Sequence, residues 1–130
     1  MRPELRTLLW IGSCREDLKS FPEDVRLVMG YALYLAQTGG KHPDAKPLRG
    51  FGGAGVLEVV DDFDGDTYGA VYTVKLRGVV YALHAFQKKS RKGKKTPQQE
   101  LEVVKQRLRR AEAVHATIGK ARGGPDEEEC

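Results

Sequence analysis

Residues 56–87 read VLEVVDDFDGDTYGAVYTVKLRGVVYALHAFQ, and this stretch decides the fold. Its apolar runs are rich in valine, tyrosine and other residues that favour strands; they are Val56–Val60, Thr67–Val74 and Val79–Gln87. Only short turns separate the runs, at residues 64–66 and 77–78. Connections this short join antiparallel neighbours, so the sequence predicts a three-stranded antiparallel meander.

Upstream of the meander, the sequence predicts one strand and two helices. Thr7–Ile11 is a short apolar run typical of a strand, and a polar helical segment follows at residues 15–19. Ser20 and Glu23 have the spacing of a capping box, with Ser20 as the cap. The helix that follows carries an apolar stripe and ends at Gly39-Gly40; the stripe is Val25, Val28, Ala32, Leu35 and Ala36.

Downstream, Thr96-Pro97-Gln98-Gln99 predicts the start of a last helix, with Thr96 as the cap and Pro97 in the first turn. The expected buried stripe is Leu101, Val104, Leu108 and Ala111. The basic residues between them are expected to face away from this stripe, towards solvent or a partner; they are Lys105, Arg107, Arg109 and Arg110. The order β-α-α-β-β-β-α predicts an α+β fold with helices packed on an antiparallel sheet.

A chain of 130 residues predicts one domain. We expect it to span residues 1–118 and to be followed by a disordered acidic tail at 119–130. No apolar run is long enough for a membrane span, and the N-terminus lacks a signal-peptide pattern, so a cytoplasmic location is expected. The two cysteines, Cys14 and Cys130, and the three scattered histidines predict no disulfide framework, metal site or cofactor.

Charge is unevenly distributed along the chain. Residues 1–87 hold ten basic and eleven acidic side chains, whereas residues 88–122 hold twelve basic and three acidic ones. A basic block of this density indicates a polyanionic partner, although a solvated helix face with a charged loop fits charge alone equally well. The candidate residues for binding a nucleic acid are Lys46, Arg49, Arg91, Lys92, Lys94 and Lys95.

Short motifs occur in a characteristic order along the chain: KPLRGFG at 46–52, VLEV at 56–59, YGAVY at 68–72, LHAFQKK at 83–89 and TPQQE at 96–100. In this order they resemble the Gp49-like/HigB branch of the RelE-like toxin superfamily, which is phage-derived. The resemblance covers about residues 5–112. The 83–89 motif followed by Thr96-Pro97 is its most specific part.

The resemblance implies a RelE-like fold and a toxin of a type II toxin–antitoxin system. Such a toxin has a helix-turn-helix antitoxin as partner and cuts mRNA on the ribosome. The RNA 2′-hydroxyl attacks the adjacent phosphorus and expels the 5′-oxygen of the next nucleotide, which leaves a 2′,3′-cyclic phosphate. This reaction uses no metal, so the protein must supply cations for the phosphorane, a group that takes the 2′-OH proton and a group that protonates the leaving oxygen. The catalytic candidates are Lys88, Lys89, His84, Tyr68 and Tyr72.

One position departs from the family pattern. The family reads Tyr-Arg-x-Val-Tyr where this chain has YGAVY, so Gly69 occupies the position of a phosphate-contacting arginine. Glycine inside a strand is also unfavourable by propensity, and no feature of the sequence explains it. Either natural divergence of the site or selection of a less harmful copy accounts for the change. The resemblance therefore implies weakened activity.

Structural interpretations compete with these roles. Tyr68 and Tyr72 share one strand face, where packing against a helix is favoured over base stacking. His84 fits a proton-transfer group and a half-buried structural histidine about equally. Three function classes stay open: a ribosome-dependent endoribonuclease, a non-catalytic RNA- or ribosome-binding protein, and a domain that mainly binds an acidic antitoxin.

Overall fold

A computed structural model describes residues 4–53, 55–88 and 95–122 of the chain. The elements follow in the order β1 (Thr7–Trp10), α1 (Cys14–Lys19), α2 (Glu23–Gln37), β2 (Ala45–Pro47), β3 (Val56–Phe63), β4 (Asp66–Thr73), β5 (Val79–Lys88) and α3 (Gln98–Arg122). The α+β class and the predicted meander are confirmed. Within the described residues, no helix is long and apolar enough to cross a membrane.

The five strands form one sheet in the order β1-β5-β4-β3-β2. The sheet is mixed rather than purely antiparallel, because β1 runs parallel to β5. The helices α1 and α2 lie between these two strands in the chain, and parallel neighbours require such a crossover. The sequence prediction also missed β2, a three-residue strand at the sheet edge, where Pro47 is tolerated since one side of the strand has no partner.

The turns of the meander match the sequence prediction. Asp64 and Gly65 form the two-residue connection between β3 and β4, and both have positive φ, of 53° and 86°. These values are typical of the type I′ turn that suits the twist of a hairpin. Between β4 and β5 the register shifts: Tyr72 pairs with Ala82 and Val71 with His84. Leu83 is therefore an extra residue, a β-bulge. It places two consecutive side chains of β5, Leu83 and His84, on the same face of the sheet.

Apolar side chains pack on both faces of the sheet. On one face, α1 and α2 cover a core that includes Val25, Met29, Val59, Tyr72 and Val80. On the other face, α3 covers a second core that includes Val71, Tyr81, Leu83, Phe86 and Val104. The predicted stripe of α3 is confirmed. In α2, Met29 and Leu33 are buried, whereas the predicted Val28 and Leu35 lie at the edge of the stripe.

Neither predicted N-cap forms. The Ser20 hydroxyl donates to the Asp17 carbonyl at the end of α1, and Pro22 precedes α2 without a side-chain cap. The Thr96 hydroxyl donates to the Glu58 carboxylate on β3 and is directed towards that strand rather than towards the N–H groups of α3 that a cap would accept from. The end of α2 is as predicted, since Gly39 has a φ of 93° and its N–H donates to the Ala36 carbonyl. The helix α3 continues beyond Ile118, into the segment expected as tail.

An arginine joins α3 to the rest of the fold, contrary to the expectation that it faces solvent. Arg107 Nη1 donates to the Leu83 carbonyl at 3.0 Å, and Nη2 donates to the Ser13 hydroxyl at 3.1 Å. Gly12, which has a φ of 60°, lies against this guanidinium, and a Cβ there would be 2.8 Å from Arg107 Nε. Gly12 is therefore required both by its backbone conformation and by the space that Arg107 occupies.

We expect Gly12→Ala to reduce the free energy of unfolding by about 2–4 kcal/mol, because it adds left-handed strain and displaces the arginine from its hydrogen bonds. Gly50→Ala is the matched control: Gly50 also has a positive φ, but nothing lies within 4 Å of its added Cβ. The control should lose only the stability that left-handed strain costs, about 1–2 kcal/mol. Urea unfolding of both variants measures the difference, and equal losses would contradict the role given to Arg107.

Candidate functional site

The candidate site lies on the α3 face of the sheet. Glu58 on β3, Gly69 on β4 and three residues of β5 share this face: His84, Phe86 and Lys88. The bulge at Leu83 is what places His84 here, because Leu83 also belongs to the α3-side core. The sheet thus brings together three of the sequence-predicted residues, at positions 69, 84 and 88.

Lys88 is buried, with 2% of its surface exposed, and its Nζ lies 3.5 Å from Glu58 Oε2. The same carboxylate oxygen accepts a hydrogen bond from the Thr96 hydroxyl at 2.8 Å. An ammonium group removed from water requires such a counter-charge. The charge of Lys88, a catalytic candidate of the sequence analysis, is therefore balanced by Glu58.

The contacts of Gly69 in the sheet explain why a glycine fits at this position, which the sequence did not reveal. It pairs directly with Phe86 across the strands, and a Cβ at position 69 would be 3.0 Å from Phe86 Cζ and 3.3 Å from Glu58 Oε2. The phenyl ring covers the space that a side chain would need, a pairing known to compensate for glycine in sheets. The ring also stacks on the imidazole of His84, with centroids 4.8 Å apart.

His84 is held at both ring nitrogens. Nε2 lies 2.6 Å from Glu100 Oε1, and Nδ1 lies 3.2 Å from Arg107 Nη1. Because a guanidinium only donates, Nδ1 must accept, and the proton is on Nε2, which donates to Glu100. An imidazolium would fit Glu100 as well, but its second N–H would then oppose Arg107.

Burial lowers the pKa of His84 below its ordinary value of 6.5, and the charge of Arg107 lowers it further, against the opposing effect of the bond to Glu100. The imidazole is therefore neutral near pH 7, and both of its nitrogens have partners. In this arrangement His84 connects β5 to α3. Its use in proton transfer would require Glu100 or Arg107 to move.

Beside these residues lies a groove of about 380 Å³ between the β2 edge and the start of α3. Its charged lining includes Lys46, Arg49 and Lys95, together with Glu58, and its apolar floor includes Leu48 and Leu101. The three cations are exposed. Exposed cations around an apolar floor can hold phosphates while a base packs below them.

A larger hollow of about 500 Å³ adjoins the groove, but its lining is acidic, with Asp44, Asp61 and Asp62. Burial and the charge of Asp62 raise the pKa of Asp61 above its ordinary value. Carboxylates repel a phosphate backbone, so size alone does not make this hollow the nucleic-acid site. The smaller, cationic groove is therefore the candidate surface for binding a nucleic acid beside these residues.

The two candidate tyrosines lie on the opposite face of the sheet. Tyr68 packs against Phe21 with ring centroids 4.8 Å apart, and Tyr72 is buried in the α2-side core. Burial raises the pKa of Tyr72 to about 12. Neither ring shares a face with Gly69 or His84, and the packing interpretation describes both. Four other candidates lie outside the described residues: Lys89, Arg91, Lys92 and Lys94.

Sequence reasoning missed three residues of the site: Glu58, Glu100 and Arg107. A signal existed for two of them. Glu100, Val104, Arg107 and Ala111 are separated by four, three and four positions, which places all of them on one helix face. Since Val104 and Ala111 define the buried stripe, charged residues in register with them are expected to face the sheet. For Glu58, the alternation of side chains along β3 indicated which face of the sheet it lies on, but not that Lys88 is its ion-pair partner.

Comparison with known proteins agrees with the motifs. The family model described as "Phage derived protein Gp49-like" matches residues 16–109. A search of curated proteins finds no match. Among solved structures, the RelBE2 toxin–antitoxin complex from Mycobacterium tuberculosis is similar, with a TM-score of 0.44 and 18% identity over 68% of this chain and 98% of that chain. At this distance the likeness carries no functional argument.

The state of His84 predicts a pH dependence of stability. The unfolded chain binds more protons than the folded one between the lowered folded pKa and the unfolded value of about 6.5. The contribution of His84 is therefore intact above pH 6.5 or so and is lost as the pH falls from there through the folded pKa. Urea unfolding at about pH 7.5 and about pH 5 should show this loss.

His84→Gln should be less stable near neutrality but should lose less stability between the two pH values. His42→Gln is the control: His42 lies beside Tyr31 on the α2 side, so its replacement should leave the pH dependence due to His84 in place. A wild-type stability that does not fall in this pH window would contradict the neutral, buried imidazole.

Proposed function

Because the chain belongs to the phage-derived Gp49-like family, we propose that it is an mRNA-directed toxin of a type II toxin–antitoxin system, a ribosome-dependent endoribonuclease of weak activity. The observation that carries the proposal is the cationic groove of Lys46, Arg49 and Lys95 beside the Glu58–Lys88 pair. Its partners are the ribosome with its mRNA and a helix-turn-helix antitoxin, and its site of action is the cytoplasm.

The groove suits the RNA backbone better than any other described cavity. Lys46 and Arg49 come from the β2 edge and Lys95 from the approach to α3, so that phosphates passing between these elements meet cations from both sides. RNA held here lies close to Glu58, the carboxylate that can take a proton from a 2′-hydroxyl. The ribosome supplies the orientation of the mRNA, which the small groove by itself does not provide.

Three features support weak activity. Gly69 offers no cation to the phosphorane, whose non-bridging oxygens accumulate charge in the transition state. Lys88 is buried against Glu58, so neither its charge nor the carboxylate is available until this pair separates. The nitrogens of His84 are both engaged. Each feature removes an electrostatic or proton-transfer group from the reaction.

A second candidate function follows from the same features. With Gly69 beneath Phe86 and His84 bound to α3, the groove is able to bind RNA or the ribosome without cutting. This non-catalytic role uses the three exposed cations and requires no movement of the buried groups. RNA binding is common to both functions, whereas cleavage distinguishes them.

Binding should depend on salt through the groove cations. We expect replacement of Lys46, Arg49 and Lys95 by Ala to weaken RNA binding and to flatten the slope of log affinity against log salt by about 2 units, or about 0.7 per single-strand phosphate contact. The control replaces three exposed cations on the α1 and α2 side, Arg15, Lys19 and Arg26. If both triple variants change the slope equally, the groove is not the binding site.

Cleavage should respond to position 69. We expect the natural sequence to be tolerated on expression and to cut translated mRNA slowly, and Gly69→Arg to increase cutting by about a hundred- to a thousandfold, the effect of one transition-state stabiliser. Gly69→Met is the matched control, because it adds a side chain of similar length without charge. Purified mRNA without ribosomes should be cut poorly by all three proteins.

By propensity alone, replacing a glycine inside a strand should leave stability unchanged or improved, but the surroundings of Gly69 oppose this expectation. A Cβ 3.0 Å from Phe86 Cζ requires the ring to move by a few tenths of an ångström. The ring stacks on His84, which is held at both nitrogens and opposes this movement. Both Gly69→Arg and Gly69→Met should therefore melt at lower temperature than the protein with Gly69. If Gly69→Arg folds and binds ribosomes but cuts no better than Gly69→Met, the non-catalytic function is correct. Strong growth arrest by the protein with Gly69 would show that a residue other than position 69 supplies the cation that stabilises the phosphorane.

A further inference from the structure

The outer face of α2 carries a stripe of exposed apolar side chains. Leu27, Tyr31 and Tyr34 are 64%, 54% and 46% exposed, and their spacing of four and three residues places them in one stripe. The opposite side of the helix carries the buried Val25, Ala32 and Ala36. A helix that is apolar on both faces is typical of one covered on both sides.

A glycine lies beside this stripe. Gly30 follows Leu27 by three positions and precedes Tyr34 by four, and nothing lies within 4 Å of the point where its Cβ would be. Glycine is the poorest helix former apart from proline, and this backbone has no positive φ that requires it. A missing side chain between large apolar ones allows the backbone of another helix to approach closely.

The charges along α2 determine what kind of helix fits. Its first turn carries Glu23 and Asp24, and among the described residues neither carboxylate has an ion-pair partner. At its other end, Arg6 Nη1 donates to the Ala36 carbonyl at 3.3 Å, and Lys41 follows the last turn. Apart from the exposed Arg26, the start of α2 is thus acidic, and the cations Arg6 and Lys41 belong to segments at and after its end.

We propose that α2 pairs with α2 of a second copy of this chain, antiparallel about a two-fold axis that passes near Gly30 and Tyr31. In that arrangement Leu27 of each copy meets Tyr34 of the other. The acidic first turn of each helix lies against the basic end of the other helix, as a self-complementary two-fold interface requires. The cationic groove lies on the α3 face, on the opposite side of the sheet, and stays open in the dimer.

The test is sedimentation equilibrium of the purified full chain over a wide concentration range. The natural protein should show a concentration-dependent monomer–dimer equilibrium. Gly30→Gln should raise the dimer Kd by on the order of tenfold or more, since a side chain then stands where two backbones meet. The same variant should raise the melting temperature measured at a concentration where the protein is monomeric, because a helix-interior glycine is removed. A residue with a purely structural role would not produce these opposite effects.

A charge exchange provides the second variant. Glu23→Lys and Lys41→Glu should each weaken the dimer, and the double variant should restore it, because the exchanged charges face each other again across the axis. A protein that stays monomeric at every concentration overturns the proposal and leaves the stripe to a different partner. A dimer that neither Gly30→Gln nor the charge variants affect also overturns it, since another surface would then hold the two copies together.

Discussion

The position of Arg107 is the constraint on which the α3 side of the molecule depends. Its guanidinium reaches from the helix to the Leu83 carbonyl, the Ser13 hydroxyl and the imidazole of His84. The first of these groups belongs to a β-bulge and the second to the turn after β1, so one cation joins three segments that are far apart in the chain. Because a half-buried charge needs its hydrogen bonds, these segments are fixed relative to one another.

The remaining features of the site follow from that arrangement. With Arg107 donating at Nδ1, His84 must be neutral and must direct its proton to Glu100. The imidazole then supports the Phe86 ring, and the ring covers Gly69. On the other side of the ring, Glu58 balances Lys88. These polar groups are thus satisfied by one another, which stabilises this arrangement of the site.

Sequence patterns worked where a local rule decides the outcome. The Asp64-Gly65 hairpin, the glycine that ends α2 and the stripe of α3 depend on backbone conformation or on helical periodicity, and all three are as predicted. The capping boxes at Ser20 and Thr96 failed because each hydroxyl is oriented towards an acceptor elsewhere, away from the helix N–H groups that its oxygen would accept from. For Ser20 that acceptor is a carbonyl of the previous helix, and for Thr96 it is a carboxylate from another strand.

The sequence by itself determined the family, the α+β class and the meander, and it has a glycine at position 69, where the resemblance implies an arginine. These properties depend on motifs and on the spacing of apolar residues, and both can be read directly from the sequence. Only the tertiary structure decided that Phe86 covers Gly69, that Glu58 neutralises Lys88 and that Arg107 faces inward. Such pairings join residues from different elements, and their energies depend on burial and distance. Neither quantity exists until the helices and strands pack together.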